Sequence, residues 1–382
     1  MIRRVILILC LFFICMSIAS ADTVYRQQLT IPTYDHSNEL THPDVWYNES
    51  GWHGYKYWMV ITPYPNGDDS KENPSVVVSN NGYDWTTHKN IANPIEAYST
   101  IQFDGHYSDT DLIYNPASDE LYIYWRFNND TDEAIYMKKY NGTRLSNTYT
   151  ILTNNREELL SPAIIRENST YWYMWTVNNS ANGNNSIRYY NSTDGITFSY
   201  RNNIVVDKPD GKDIWHINVI PADNYHTYHG LFTYCDSGSN GGGCELYYAN
   251  SSNHLNWTLQ PRVLIDRREG KWDSDNVYRS AGVLNGDKIR IWYSAAAYRA
   301  STLKIPFKIP FFHIGSEKRV WRIGYAEAGY KNGNWTLLDL NYTKSPPRND
   351  LSTFLGCMDG LKGRRIMHVQ YSLEESVSGA LS

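Results

Sequence analysis

Helical periodicity is almost missing from this chain. Glycine and proline interrupt it every ten residues or so, and no stretch of helical length carries one apolar face. That excludes a helical bundle and leaves strands and turns. Long apolar runs are missing too, except at the start, where Met1-Ile2-Arg3-Arg4 leads into apolar residues over 5–18 and then Ala19-Ser20-Ala21. A basic start, a short apolar core and a small-x-small site make a secretory signal peptide, not a membrane span. With cleavage after Ala21, the mature protein is expected to be secreted or at the cell surface, with no transmembrane segment. An excess of basic charge is lacking as well: 35 Lys and Arg against 40 Asp and Glu give a net −5, with the signs interspersed. No nucleic acid is expected as a partner, because a nucleic-acid binder would show a basic face.

Cysteine is scarce. Cys10 and Cys15 fall inside the signal, and Cys357 is left unassigned. Cys235 and Cys244 bracket a Gly/Ser-rich turn between two strands, so a hairpin-closing disulfide is expected in an exported protein. What the chain has in plenty is aromatic residues, 32 Tyr and 13 Trp. Half-buried strands favour them, and sugar-stacking surfaces use them too. Asn-x-Ser/Thr sequons are dense, from Asn48 to Asn341, and nearly all sit in turns. Surface N-glycosylation and simple turn-filling by Asn, Ser and Thr both account for them.

The organising feature is a repeat. Five times a polar or charged opening enters an apolar strand: His42-Pro43-Asp44-Val45, Asp109-Thr110-Asp111-Leu112, Leu160-Ser161-Pro162-Ala163, Asp213-Ile214-Trp215-His216 and Asn276-Val277-Tyr278-Arg279. Aromatic-rich second strands follow at 55–61, 121–127, 171–177, 228–234 and 288–295. Four of the five units close on a polar turn before Trp or Phe, as in SNNGYDW (79–85) and NSTDGITF (191–198). Units of about 50–70 residues built this way are propeller blades. The fold expected is all-β, a five-bladed β-propeller over 22–344. Residues 22–39 supply a lead-in strand that closes the ring, 301–320 form an insert in blade five, and 345–382 form a C-terminal tail.

Equivalent inner strands bring their opening residues to one end of the axial channel. His42, Asp44, Asp109, Asp111, Asp213, His216, Tyr278 and Arg279 are expected there. Glu72, which opens the third strand of blade one, is expected to join them. Asp109 reads as a turn cap. Arg279, followed by an apolar strand, needs a buried partner, and an axial carboxylate is the natural one. No dedicated metal-ligand set is legible, the His42/His216 pair included, so no metal and no cofactor is expected.

The repeat order, the TDLIY motif (110–114), the S-x-DG-x-x-W turns and the combination GYKYWM, TPYP, ENPSVVVS, WHINV and YRSA resemble the five-bladed propeller glycosidases. The likeness is to glycoside hydrolase families 43 and 32 and their uncharacterised secreted relatives, over about 40–340. It implies a glycoside hydrolase acting on a polysaccharide or glycan. The family 43 pattern implies an Asp base in blade one, a tuning Asp in blade two and a Glu acid in blade three. Asp111 matches the second position. His42 stands at the first, with Asp44 two places on, and Leu160 stands at the third. Three readings follow: a relocated acid–base pair of Glu72 with Asp44 or Asp111, a histidine base at His42 or His216, or a non-catalytic glycan-binding or surface-attachment propeller. His42, His216, Tyr278 and Arg279 would bind substrate, and a monomer is expected.

Overall fold

The computed structural model describes residues 24–98, 105–129, 131–155, 158–179, 184–204, 206–221, 227–299 and 318–340. The signal segment, most of the blade-five insert, Cys357 and the tail lie outside the described residues. The propeller lies in a compact unit that ends at Leu338.

Five antiparallel sheets form the blades. Their inner strands are Leu40–Trp52, His106–Asn115, Leu160–Arg166, Lys212–Pro221 and Asn276–Asn285. Each inner strand lies against that of the next blade, and the fifth lies against the first. The second strands, Tyr55–Pro63, Glu120–Asn128, Trp172–Asn178, Tyr228–Asp236 and Lys288–Arg299, fall close to where the aromatic runs placed them. The strand Arg26–Gln28 pairs with Lys318–Lys331, so the start of the chain adds the edge strand to the last blade. Closing the ring with both chain ends removes the exposed sheet edge that an open array would leave.

Alternation along each strand sends apolar side chains into the spaces between blades. Trp58, Trp125, Trp172, Trp175 and Trp292 are fully buried there. The polar turns have a second use at the same seams. In three of them a Ser oxygen and an Asp or Asn oxygen accept the turn's backbone N–H groups, as at Ser79/Asn81, Ser192/Asp194 and Ser251/Asn253. An aromatic of an adjoining blade then donates to a carbonyl of the turn: Trp292 to Gly82 at 2.8 Å, Tyr124 to Gly195 at 2.7 Å and Trp175 to His254 at 3.2 Å. Gly195 needs its missing side chain. Its φ is +72°, and a Cβ would stand 2.9 Å from the Trp172 ring. Sequon asparagines Asn129, Asn141 and Asn168 also cap turns through their side-chain oxygens.

Candidate active site

Each inner strand carries a β-bulge at its opening. Pairing with the second strand slips between Thr41 and Asp44, Ser108 and Asp111, Leu160 and Ala163, Ile214 and His216, and Val277 and Ser280. A bulge leaves residues out of the ladder and re-aims their side chains. Here the bulged residues include His42, Asp109, Ser161, Trp215, Tyr278 and Arg279. His42, Asp109 and Ser161 also hold positive φ values of 51°, 48° and 55°. Non-glycine residues in that region cost about 1–3 kcal/mol each, and such costs cluster at functional sites.

Asp109 is the hub. Its Oδ1 stands 3.4 Å from His42 Nε2, 3.3 Å from His216 Nδ1 and 3.5 Å from an Arg279 nitrogen. Its Oδ2 accepts from Ser108 Oγ at 3.1 Å and lies 3.6 Å from Arg126. Arg126 is itself anchored by Glu133, whose other oxygen accepts the backbone N–H groups of Glu158 and Leu159. Burial alone would raise the Asp109 carboxyl. Instead His42, His216, Arg279 and Arg126 hold it well below the usual range. Desolvation lowers both histidines, His42 to about 4 and His216 well below its usual value, so both imidazoles are neutral at pH 7.

Beyond His42 lies Glu72, the C-cap of a short 3-10 turn, Asp69–Lys71. Its Oε1 stands 3.3 Å from His42 Nδ1 and accepts from Thr62 Oγ1 at 3.4 Å. His42 Nδ1 also bonds Thr62 Oγ1, at 2.8 Å. Burial, then the charge of Asp109, pushes the Glu72 carboxyl well above the usual range. Glu72 and Asp109 thus face opposite edges of one imidazole with their pKa values driven apart.

A cavity of about 380 Å³ opens here, lined by Thr41, His42, Glu72, Asp109, Arg126 and Tyr278, with Tyr64, Trp215 and Trp321 as aromatic wall. His42, Glu72 and Tyr278 therefore meet as the repeat implied. His216 lies beside Asp109 and is 1% exposed. Arg279 is fully buried and donates to Ser161 Oγ at 2.9 Å and to the Pro162 carbonyl at 2.7 Å.

Asp44 and Asp111 correct the sequence reading. Neither lines this cavity. Asp44 Oδ2 accepts from Leu112 N at 2.8 Å, and Asp111 Oδ1 accepts from Ile164 N at 3.3 Å. Ser161 Oγ accepts from Ile217 N and Asn218 Oδ1 from Gly282 N, both at 3.1 Å. Asn218 Nδ2 then donates to Asp44 at 3.1 Å. These side chains tie each of the first four inner strands to the next, so the two aspartates are ring struts held by backbone donors. Asp213 is also elsewhere, paired with Lys208 at 2.5 Å. The Cys235–Cys244 disulfide is formed.

Sequence reasoning placed Asp109 at the axial end but read it as a turn cap. The repeat held the missing signal: His42-Pro43, Asp109-Thr110 and Ser161-Pro162 occupy the same bulge, so Asp109 is the blade-two counterpart of His42. Arg126 and Glu133 gave no motif, because their role comes from contacts between neighbouring strands of blade two and not from a short spacing.

One ring nitrogen each from His42 and His216 and one carboxylate oxygen of Asp109 lie within 4.8 Å of one another, all three residues buried. Ligand atoms at about 2.0–2.1 Å from a tetrahedral cation stand roughly 3.3–3.4 Å apart, which is the spacing seen on two sides of this triangle. Asp109 Oδ1 and both ring nitrogens of His216 are buried without a hydrogen bond. Burial of unsatisfied polar atoms is costly, and a neutral His–ionised Asp–neutral His set is the protonation state that ligates a metal. The residues fit a divalent cation.

No family model matches the sequence. The chain is 27% identical over 366 residues to the A type blood N-acetyl-α-D-galactosamine deacetylase of Flavonifractor plautii, covering 79% of this chain and 46% of the relative. It thus spans about half the length of that protein. A crystal structure of an N-acetylgalactosamine deacetylase from F. plautii, in complex with blood group B trisaccharide, superposes with a TM-score of 0.70 at 24% identity, over 81% of this chain and 95% of that one. The family 43 protein BlXynB of Bacillus licheniformis gives 0.54 at 11% identity, over 83% and 57%. The family 32 β-fructofuranosidase BmSUC1 of Bombyx mori gives 0.53 at 13%, over 79% and 63%. The chain is a five-bladed β-propeller with structural neighbours among family 43 and 32 glycoside hydrolases. Its fold is that of glycan-processing enzymes, and the sequence relative is a deacetylase rather than an O-glycosidase.

Proposed function

We propose that the protein is a cation-dependent hydrolase that removes the N-acetyl group from an amino sugar of a glycan. The observation that carries this reading is the buried His42–Asp109–His216 triangle beside the cavity, in which Asp109 Oδ1 and both His216 ring nitrogens have no hydrogen bond. A divalent cation held there would supply Lewis acidity and a bound water of lowered pKa. Glu72, the carboxyl that lines the cavity beside His42 without being one of the three ligands, would take a proton from the water and return it to the leaving amine. The Tyr278 hydroxyl accepts from Trp215 Nε1 at 2.7 Å, which leaves its own proton free for a developing oxyanion. Arg279 and Arg126 keep Asp109 ionised. Tyr64, Trp215 and Trp321 provide apolar faces for a sugar ring.

Hydrolysis of an O-glycosidic bond is the second reading. What favours it is the pair Glu72 and Asp109, two carboxyls that line one cavity on either side of His42, with opposed pKa shifts. One assay separates the two. The full chain is incubated with an oligosaccharide ending in N-acetylgalactosamine, with added Zn²⁺ and with chelator, and both products are measured. Chelator-sensitive release of acetate supports the first reading. Release of free sugar replaces it with the second, and release of neither refutes both. Export, carried by the signal-like segment at 1–21 together with a disulfide, remains part of the proposal: the glycan would be met outside the cell.

A further inference from the structure

The loop 236–243 closes the hairpin between Tyr228–Asp236 and Glu245–Ser251 in blade four, and the Cys235–Cys244 disulfide crosses its base. Its Gly241, at φ +82°, packs against Trp215, where a Cβ would stand 3.0 Å from the indole Cε2. The Gly241 carbonyl accepts from Asn276 Nδ2 at 3.1 Å, and Asn276 Oδ1 accepts from Cys244 N at 3.0 Å. The loop therefore grips two points. One is the indole of Trp215, and the other is the residue two places before Tyr278. These two side chains are joined by the Trp215–Tyr278 hydrogen bond. The Tyr278 ring lies edge-on to His216 with centroids 4.2 Å apart, and 5.8 Å from His42.

We infer that the disulfide-closed hairpin is a positioning element: it fixes Trp215 and, through it, the Tyr278 hydroxyl over the His42–Asp109–His216 centre. The kinetic consequence rests on the deacetylase reading above; the positioning itself does not. Trp215 is the extra residue of a bulge, outside the regular ladder. Strand pairing therefore does not dictate its rotamer, and a contact from outside must. Gly241 supplies that contact, and only a residue without Cβ fits so close an approach at positive φ. The disulfide limits how far the loop that carries Gly241 can open. Reactions lose rate steeply when a donor is misplaced by about 1 Å, so a loose loop 236–243 should tell on turnover before it tells on the metal ligands, of which His216 is held separately by its ladder pairing with Thr233.

The test uses the full chain with ¹⁵N-labelled tryptophan, the double variant Cys235→Ser/Cys244→Ser, and Gly241→Ala, which keeps the disulfide. Exchange of the Trp215 indole proton with solvent is followed by NMR, assigned with Trp215→Phe. Expected is exchange at least about 10-fold faster for Trp215 in both variants, with the Trp58 and Trp292 indoles unchanged. Kinetically, kcat for the acetylated oligosaccharide should fall about 10-fold, with KM and bound Zn²⁺ within about twofold. Unchanged Trp215 exchange, or equal acceleration of every indole, would overturn the inference and leave the disulfide a general brace. If the unaltered protein releases no acetate, the deacetylase reading fails by itself, and the exchange data still decide the role of the hairpin. Should the double variant not fold, Gly241→Ala alone carries the test.

Discussion

Asp109 Oδ1 stands 3.3 Å from His216 Nδ1, although the two residues come from blades two and four. Only a closed ring of sheets with a bulge at each inner strand brings such distant positions together. The charge state follows from the same arrangement: one ionised carboxylate, two guanidinium groups and two neutral imidazoles share a space that water barely reaches. The predictions below separate the residues that do chemistry from those that hold the ring.

Glu72→Gln keeps the shape of the side chain and removes its proton-transfer capacity. Turnover should fall by about 10²–10⁴-fold, with the protein still folded and its Zn²⁺ content unchanged. Single-turnover kinetics with a parallel metal measurement check this. Retention of full turnover would remove Glu72 from the mechanism.

Asp44→Ala should act on stability instead. It leaves the Leu112 N–H and the Asn218 amide buried without their acceptor. The expected loss is about 1–3 kcal/mol for each orphaned group, read by urea unfolding, while activity per folded molecule stays close to that of the unaltered chain. A large loss of kcat without loss of stability would return Asp44 to the catalytic list.

The Asp194 turn gives a pH signature. Burial opposes ionisation there, but hydrogen bonds from Thr197 N, Ile196 N and Ser192 outweigh it and lower the pKa below 3.8. A depressed folded-state pKa means that the contribution is present above 3.8 and is lost as pH falls through the folded value. Asp194→Ala should therefore cost about 1 kcal/mol near pH 7, and the gap between the two proteins should close below about pH 4. Thermal unfolding at a series of pH values measures it. A gap that grows on acidification would contradict the assignment.

The fold was readable because blade periodicity is written locally, in strand alternation and in turns such as NSTDGITF that need only a few residues to form. Closure by residues 26–28 was readable for the same reason, since a lone strand before the first blade has one place to pair. The site was half readable. His42, Glu72, His216, Tyr278 and Arg279 were expected together because equivalent strands must share an end of the channel, and they lie together around Asp109. Asp44 and Asp111 were misplaced because alternation says which face a residue takes but not where a bulge reverses it. One slipped residue turns Asp109 toward the cavity and leaves Asp111 bonded to the next blade. The proposed His42–Asp109–His216 metal site was not legible for a related reason: its residues lie in three blades, with no short spacing to mark them.

The most direct test of the account is the metal content of the full chain after Zn²⁺ loading and dialysis, compared with Asp109→Asn. The site described here predicts about one tightly held equivalent in the unaltered protein. In the folded variant, affinity should drop by more than the roughly 10–100-fold typical of losing a group that merely supports a ligand. Equal retention by both proteins, or no retention by either, would contradict a metal centre at His42, Asp109 and His216.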